Sequence, residues 1–391
     1  MRRYYFMLLV ALAAVPLCNS CKGDGPAGPV TPEVQPVTLT IVDKDATPET
    51  KALYANLWAI RDKGWIFGHQ NDLINGRKWQ YDEGGSDTKA VCGDYPGLFG
   101  VDVASFMDGR EDTSENPVKV RTIKEAYDRG MVIMACMHLN NPYNDAVYAD
   151  KKYNQDRPVS HILEEGSETN RKFNVWMDRL AALAKSLKGS DGVQIPMILR
   201  PFHEHGNDWS WWGNTACTQT EYIDLWRLLV DGMKSRGVHN FIYAISPQMD
   251  GQKIEDDFLF RWPGDNYVDF IGMDCYQGIN NNVFVNNLKV LSALSTKKKK
   301  PAGVTETGVQ GFQVADYWVT NIAAPMAGRK MSLLATWSNK YDPIGSGNHY
   351  FSVFPGHVSV ESFLTMYKRS DTYFCNDLPK MYNPVNGITV K

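Results

Sequence analysis

The stretch Ile195-Pro-Met-Ile-Leu-Arg200-Pro-Phe-His203-Glu204-His205-Gly-Asn-Asp-Trp209-Ser-Trp211-Trp212-Gly213 changes character half-way along. It begins as an apolar run of strand type and ends in an arginine, two histidines, two carboxylates and three tryptophans. Polar groups are costly to bury unless they are paired or used. A buried strand that delivers such a cluster at one end therefore reads as the mouth of a site. Tryptophan faces in a polar cleft suit the flat apolar faces of sugar rings.

The same signature recurs along the chain. Apolar runs closing on polar residues occur at Trp65–Gln70, Leu98–Ser105, Met131–Asn140, Asn240–Pro247, Val268–Tyr276, Ala302–Gly308 and Ser332–Asn339. Between most of them, Val118–Arg129, Arg171–Leu187, Glu221–Ser235 and Asn287–Leu294 carry apolar residues at spacings of three and four, the period of a helix. Thr47 before Pro48 has helix-start chemistry, and Gly64 and Gly237 fit helix stops. Near-continuous apolar strands alternating with helices imply a parallel sheet covered on both faces. Eight such units in one run predict an α/β chain of (β/α)8 TIM-barrel type, with its chemistry at the C-terminal strand ends. A doubly wound sheet would need a Gly-rich phosphate loop after its first strand; no GxxxxGK is present, and the one GxGxxG, Gly23–Gly28, lies in the Pro- and Gly-rich N-terminal stretch ahead of every predicted strand.

Glu204 and Glu306 end the fourth and seventh predicted strands. Two carboxylates facing across one cleft are what glycoside hydrolysis needs, one protonated and one ionised. The bland reading is a pair of strand-end ion pairs. His203-Glu204-His205 also has ligand-type side chains, but it lacks HExxH spacing, and alternate strand residues point to opposite sides. No catalytic metal and no organic cofactor are expected. Trp211 and Trp212 fit either core packing or sugar contact, and His69 and Gln70 fit either rim packing or a role in the site.

Arg200-Pro-Phe-His203-Glu204 with Trp209-Ser-Trp211-Trp212-Gly213 resembles the glycoside hydrolase family 26 β-mannanases. Gly68-His69-Gln70, His138-Leu-Asn140-Asn141-Pro142, Gly272-Met-Asp274-Cys-Tyr276, Val304-Thr-Glu306-Thr-Gly308 and Ala335-Thr-Trp337-Ser338 fall in that family's order, so the resemblance runs from about residue 45 to 375. It implies a retaining enzyme acting on β-1,4-mannosidic bonds, with Glu204 as acid/base and Glu306 as nucleophile. It further implies that Arg200 holds the nucleophile ionised and that His203 and His138 contact the sugar in the −1 subsite. Tyr276 orients the nucleophile, Trp337 forms the −1 floor, Trp209 stacks beside the cleavage point, and Asp274 is a weaker substrate contact. Some members carry Arg after the strand-eight tryptophan, where this chain has Ser338; that departure bears on the distal negative subsites and the cleavage mode.

At the N-terminus, Arg2 and Arg3 precede an apolar run from Met7 to Leu17, too short for a permanent span. Ser20-Cys21 follows and suits lipoprotein processing, with Cys18 as second choice and an ordinary cleaved signal as the alternative. The expected layout is a signal over 1–20, a flexible tether over 21–42 rich in Pro, Gly and Thr, and one catalytic domain over 43–391. The expected product is an exported, membrane-anchored monomer. The chain of 391 residues has a net charge of −3, which gives no electrostatic reason to expect nucleic acid. Among its seven cysteines, Cys136 and Cys275 sit in apolar runs and are expected to be buried thiols. Lys297–Lys300, just before the seventh strand, is expected to be a solvated loop at the barrel's bottom face. The alternatives are the same scaffold acting on a β-glucan or β-xylan, or a non-catalytic glycan-binding lipoprotein.

Overall fold

A computed structural model describes residues 36–391 except Gln277, with the side chain of Tyr153 also left aside. The proposed signal, Cys18, Cys21 and the tether as far as residue 35 lie outside the described residues. The chain enters through β1 (Val37–Leu39), which pairs in parallel with the last strand, β11 (Ile388–Val390). Leu39 and Ile41 are buried, so residues 36–42, expected as the end of the tether, pack with the barrel domain instead. A three-residue strand leaves too little alternation to be read from sequence.

The barrel strands are β2 (Trp65–Gln70), β3 (Leu98–Asp102), β4 (Val132–Cys136), β5 (Met197–Arg200), β6 (Phe241–Ile245), β7 (Phe270–Cys275), β8 (Ala302–Thr307) and β9 (Leu333–Thr336). Each pairs in parallel with its neighbour. β9 returns to β2, with Ile66 opposite Leu333, and closes the cylinder. The (β/α)8 expectation holds, and a short strand β10 (Thr372–Tyr373) adds to the outside of β2.

Alternation along the strands sorts their side chains. Ile66, Leu98, Val132, Met134, Ile198, Ile242 and Phe270 point inward and share a cluster with Leu53, Tyr54, Leu57 and Trp58 of the helix Pro48–Ile60. That helix stoppers the bottom of the barrel. Its start is as read: Thr47 Oγ1 accepts the Thr50 amide, and Pro48 sits at the first helical position. Outward residues such as Phe99, Ile133, Leu199 and Tyr243 pack under the surrounding helices Asn116–Asp128, Glu168–Ser186 and Gln219–Ser235.

The lysine run departs from its reading. Lys297 and Lys298 form the last turn of the helix Asn282–Lys298, where cations suit the partial negative charge. They pair with Glu255 and Asp265, and Lys300 is buried with its ammonium on the Asp265 carbonyl. Cys92, Cys136, Cys217, Cys275 and Cys375 are free thiols, and Cys136 and Cys275 are buried as expected. No helix among the described residues is long and apolar enough to cross a membrane.

Candidate active site

The upper ends of β5, β7 and β8 converge on one arginine. Arg200 is fully buried. Its Nη1 donates to Asp274 Oδ2 at 2.6 Å, and its Nη2 donates to Glu306 Oε1. Tyr276 donates its hydroxyl proton to Glu306 Oε2 at 2.9 Å. Both Glu306 oxygens are thus held by donors, which orients the carboxylate. Asp274 is held from the other side, where Ser246 and Thr305 each donate to its Oδ1 at 2.7 Å. Gly272 makes that possible, because a Cβ there would stand 2.7 Å from Thr305 Oγ1 and 3.0 Å from Ser246 Cβ.

Glu306 reaches this position through an irregularity in β8. The pairing to β7 runs Met273 to Val304 and then Asp274 to Glu306, so Thr305 is the extra residue of a bulge. Strict alternation would send Glu306 outward if Thr305 faced in. The bulge lets both neighbours face the interior, the re-aiming that bulges supply beside active sites.

Glu204 is placed by strain. Phe202 and Glu204 have φ of 46° and 53°, left-handed backbone that costs side-chain-bearing residues free energy. The Glu204 amide donates to the Ser246 carbonyl at 2.8 Å, which fixes the turn at the end of β5. Trp209 Nε1 and Asn207 Nδ2 both donate to Glu204 Oε2, at 2.6 and 3.3 Å. An acidic proton on Glu204 is therefore carried by Oε1. Burial, then Glu306 and Asp274, push the Glu204 carboxyl well above the usual range, while the Trp209 hydrogen bond pulls it down. Burial also raises Asp274, to about 7, against the pull of Arg200. One oxygen each from Glu204, Asp274 and Glu306 lie within 4.8 Å of one another.

Around the acids stands a ring of aromatics. His138 lies 4.5 Å from His203, 4.8 Å from Tyr148, 5.8 Å from Trp337 and 6.0 Å from Trp209, centre to centre. His138 Nδ1 meets Asp102 Oδ2 at 2.6 Å, and its Nε2 meets His203 Nε2 at 3.1 Å. Burial raises the Asp102 carboxyl, but the His138 hydrogen bond and charge outweigh this and hold it at about 2. Burial, helped by Arg200, lowers His203 well below the usual imidazole range and keeps it neutral.

Residues 42–341 match the family description "Glycosyl hydrolase family 26". The chain belongs to glycoside hydrolase family 26. It is 30% identical over 290 residues to a mannan endo-1,4-β-mannosidase of Bifidobacterium adolescentis, over 70% of this chain. It spans only 28% of that relative's length, and 60% of a Bacillus subtilis relative of the same name. The β-mannanase BoMan26A of Bacteroides ovatus superposes with a TM-score of 0.81 at 32% identity, over 87% of this chain and 98% of that one. The catalytic domain of a Bacillus sp. JAMB-750 endo-β-1,4-mannanase superposes with a TM-score of 0.81 at 26% identity, over 93% of this chain and 100% of that one.

In this family 26 site, Glu204, Glu306, His138, Trp209, Tyr276 and Trp337 line or border the cleft, all but Glu306 partly exposed. Arg200 and Asp274 are wholly buried beneath the acids. Arg200 bonds Glu306, as the resemblance implies, and Asp274, expected as a weaker substrate contact, is bonded to Arg200 below the cleft. His203 is 1% exposed and reaches the cleft through its edge at His138. Trp211 and Trp212 resolve as core: both are fully buried, donating to the Leu139 and His203 carbonyls. His205 points to the opposite side from His203 and packs on Tyr222, so His203-Glu204-His205 is no ligand trio. His69 is buried against Asp72, and Gln70 is buried beside Cys136. Arg200 already supplies positive charge to Glu306 and Asp274, where an ion would otherwise sit.

Two residues escaped the sequence reading. Asp102 is visible there only as a strand end, and Tyr148 lies in a loop with no periodicity. Tyr148 packs edge-on to Trp209 at 5.5 Å and extends the aromatic wall.

The Trp209 bond gives a pH prediction. It stabilises the ionised form of Glu204, so Trp209→Phe raises the acid's pKa further. The alkaline limb of the kcat/KM profile should move to higher pH; a downward move would contradict the assignment.

Proposed function

We propose that this chain is a retaining β-mannanase that cleaves β-1,4-mannosidic bonds in mannan, galactomannan or glucomannan by double displacement. The observation that carries this reading is the approach of the Glu204 and Glu306 oxygens to within 4.8 Å. Retaining sites hold their carboxyl groups ~5–5.5 Å apart, whereas inverting sites leave ~6.5–9.5 Å for a water. Glu306 attacks the anomeric carbon as Oε1 of Glu204 protonates the leaving oxygen. The leaving sugar departs, and a covalent glycosyl–enzyme ester remains on Glu306. Glu204, now ionised, takes a proton from the incoming water, which releases the sugar. Arg200 and Tyr276 keep Glu306 aimed through both steps. His138, His203 and Trp337 bound the −1 position, and Trp209 with Tyr148 the side of the leaving sugar.

The relatives' names support mannan as substrate. A second reading, a β-glucan substrate, draws support from an Acetivibrio thermocellus relative named endoglucanase H, 33% identical over 145 residues, 34% of this chain and 15% of that one. Timed product analysis separates them. Manno-oligosaccharides should accumulate from mannan and galactomannan, with negligible reducing sugar from mixed-linkage glucan or xylan. Tight mannan binding without release of reducing ends would support a glycan-binding protein instead.

The proposal extends to location. Arg2 and Arg3, the apolar run to Leu17 and Ser20 before Cys21 support export and lipidation at Cys21. Expressed in a bacterial host, the chain should partition into detergent phase, and Cys21→Ala should move it to the aqueous phase. Unchanged partitioning in that variant, with loss in Cys18→Ala, would transfer the anchor.

A further inference from the structure

Asp102, Cys136 and His138 make a donor set that hydrolysis does not call for as a whole. Asp102 ends β3 and is the register partner of Cys136 on β4. Cys136 ends β4, and His138 lies two residues beyond it, with its ring in the cleft beside Trp209 and Trp337. One donor atom from each residue lies within 4.8 Å of the other two. Asp102 Oδ2 and His138 Nδ1 are already 2.6 Å apart.

Thiolate, imidazole and carboxylate are the ligands that a borderline-soft divalent ion takes, at roughly 2.0–2.3 Å in tetrahedral array. The thiol closes the inner side, since Cys136 is 1% exposed. The His138 and Asp102 side chains are 15% and 24% exposed, which opens the outer side to the cleft. That leaves a fourth position for water and a route of entry. The other trio, Glu204, Asp274 and Glu306, offers only oxygen and already holds the Arg200 guanidinium.

We infer that Asp102, Cys136 and His138 form a binding site for a borderline-soft divalent cation of the Zn2+ type, and that its occupation switches hydrolysis off. As the ion binds, the Cys136 thiol gives its proton to solvent, and the Nδ1 proton that His138 shares with Asp102 moves to Nε2; sulfur, Nδ1 and the carboxylate then coordinate through lone pairs, and the hydrogen bond between His138 and Asp102 is lost. The newly protonated Nε2 changes its contact with His203 Nε2 as the imidazole turns. His203 Nε2 stands 3.9 Å from Glu306 Oε1, so the disturbance reaches the nucleophile's surroundings. The loss falls on kcat more than on KM. This inhibitory effect rests on the hydrolytic reading above, whereas the binding of the ion does not.

The test uses the full chain and two readouts. Co2+ titrated into the protein should give a thiolate-to-cobalt charge-transfer band at one ion per chain, which Zn2+ abolishes by displacement. Zn2+ should lower turnover on mannan, and EDTA should restore it. Cys136→Ala and the near-isosteric Cys136→Ser should hydrolyse mannan as the parent does. Both should lose the band and require about tenfold more Zn2+ or beyond for inhibition. Cys92→Ala, at a partly exposed thiol outside the trio, should keep both responses. No band in the parent protein at millimolar Co2+ overturns the proposal. So does a band or an inhibition curve unchanged in both Cys136 variants. A cobalt band in a protein that hydrolyses no glycan would leave the metal site standing, overturn the switch, and refute the hydrolytic reading.

Discussion

Glu306→Ala and Glu204→Ala should each lower turnover on mannan by about 10³-fold or more, with the barrel intact by circular dichroism and melting. The two losses differ in kind. Without the Glu306 carboxylate no glycosyl–enzyme forms, so good leaving groups do not rescue the reaction. Azide, small enough for the space left by the carboxylate, should attack directly and give an α-glycosyl azide. Without Glu204 the first step is slow only for poor leaving groups. An aryl β-mannoside with an acidic phenol should still form the intermediate, and azide should then release a β-glycosyl azide. Opposite azide anomers from the two variants would assign the roles without reference to any other protein. Near-parental rates in either variant would remove the mechanism.

The second large effect belongs to Arg200. Its guanidinium is wholly buried and is shared between Asp274 and Glu306. Arg200→Met leaves two buried carboxyl groups facing each other with no cation. Breaking a buried ion pair from one side costs about 3–5 kcal/mol, which for a domain of this size lowers the melting midpoint by roughly 5 °C. Asp274, already raised to about 7 by burial, loses the charge that draws it down. Turnover should fall by about 10²-fold or more, because the carboxylate that must attack is no longer aimed. Arg200→Lys keeps a charge but not the planar fork that reaches both acids. It should recover part of the stability and little of the turnover. Full activity in Arg200→Met, measured calorimetrically and by reducing sugar, would show that the arginine is mere packing.

The barrel was legible because each strand is buried on both faces and reads as an unbroken apolar run. Ile195–Leu199 and Met131–Met137 carry that signal without interruption. The acids were legible because strand ends are where a barrel places its chemistry, and Glu204 and Glu306 fall there. Depth was not legible. Arg200, Asp274, Trp211 and Trp212 are neighbours in sequence of true cleft residues, and nothing local separates a group that faces substrate from one a layer below. The bulge at Thr305 was hidden for the same reason: it is a mismatch between two strands, and one strand alone does not record it. Asp102 acquires its role only through His138, 36 residues away. The short strands β1, β10 and β11 carry too few residues for a period to show.

The account turns on a double displacement between two acids held close in opposite protonation states. Its most direct test is proton NMR of the sugar released in the first seconds of hydrolysis of a manno-oligosaccharide, before mutarotation. The β-anomer should appear first and the α-anomer grow in later. An α-anomer formed first would mean single displacement by water, and the roles given to Glu204 and Glu306 would be wrong.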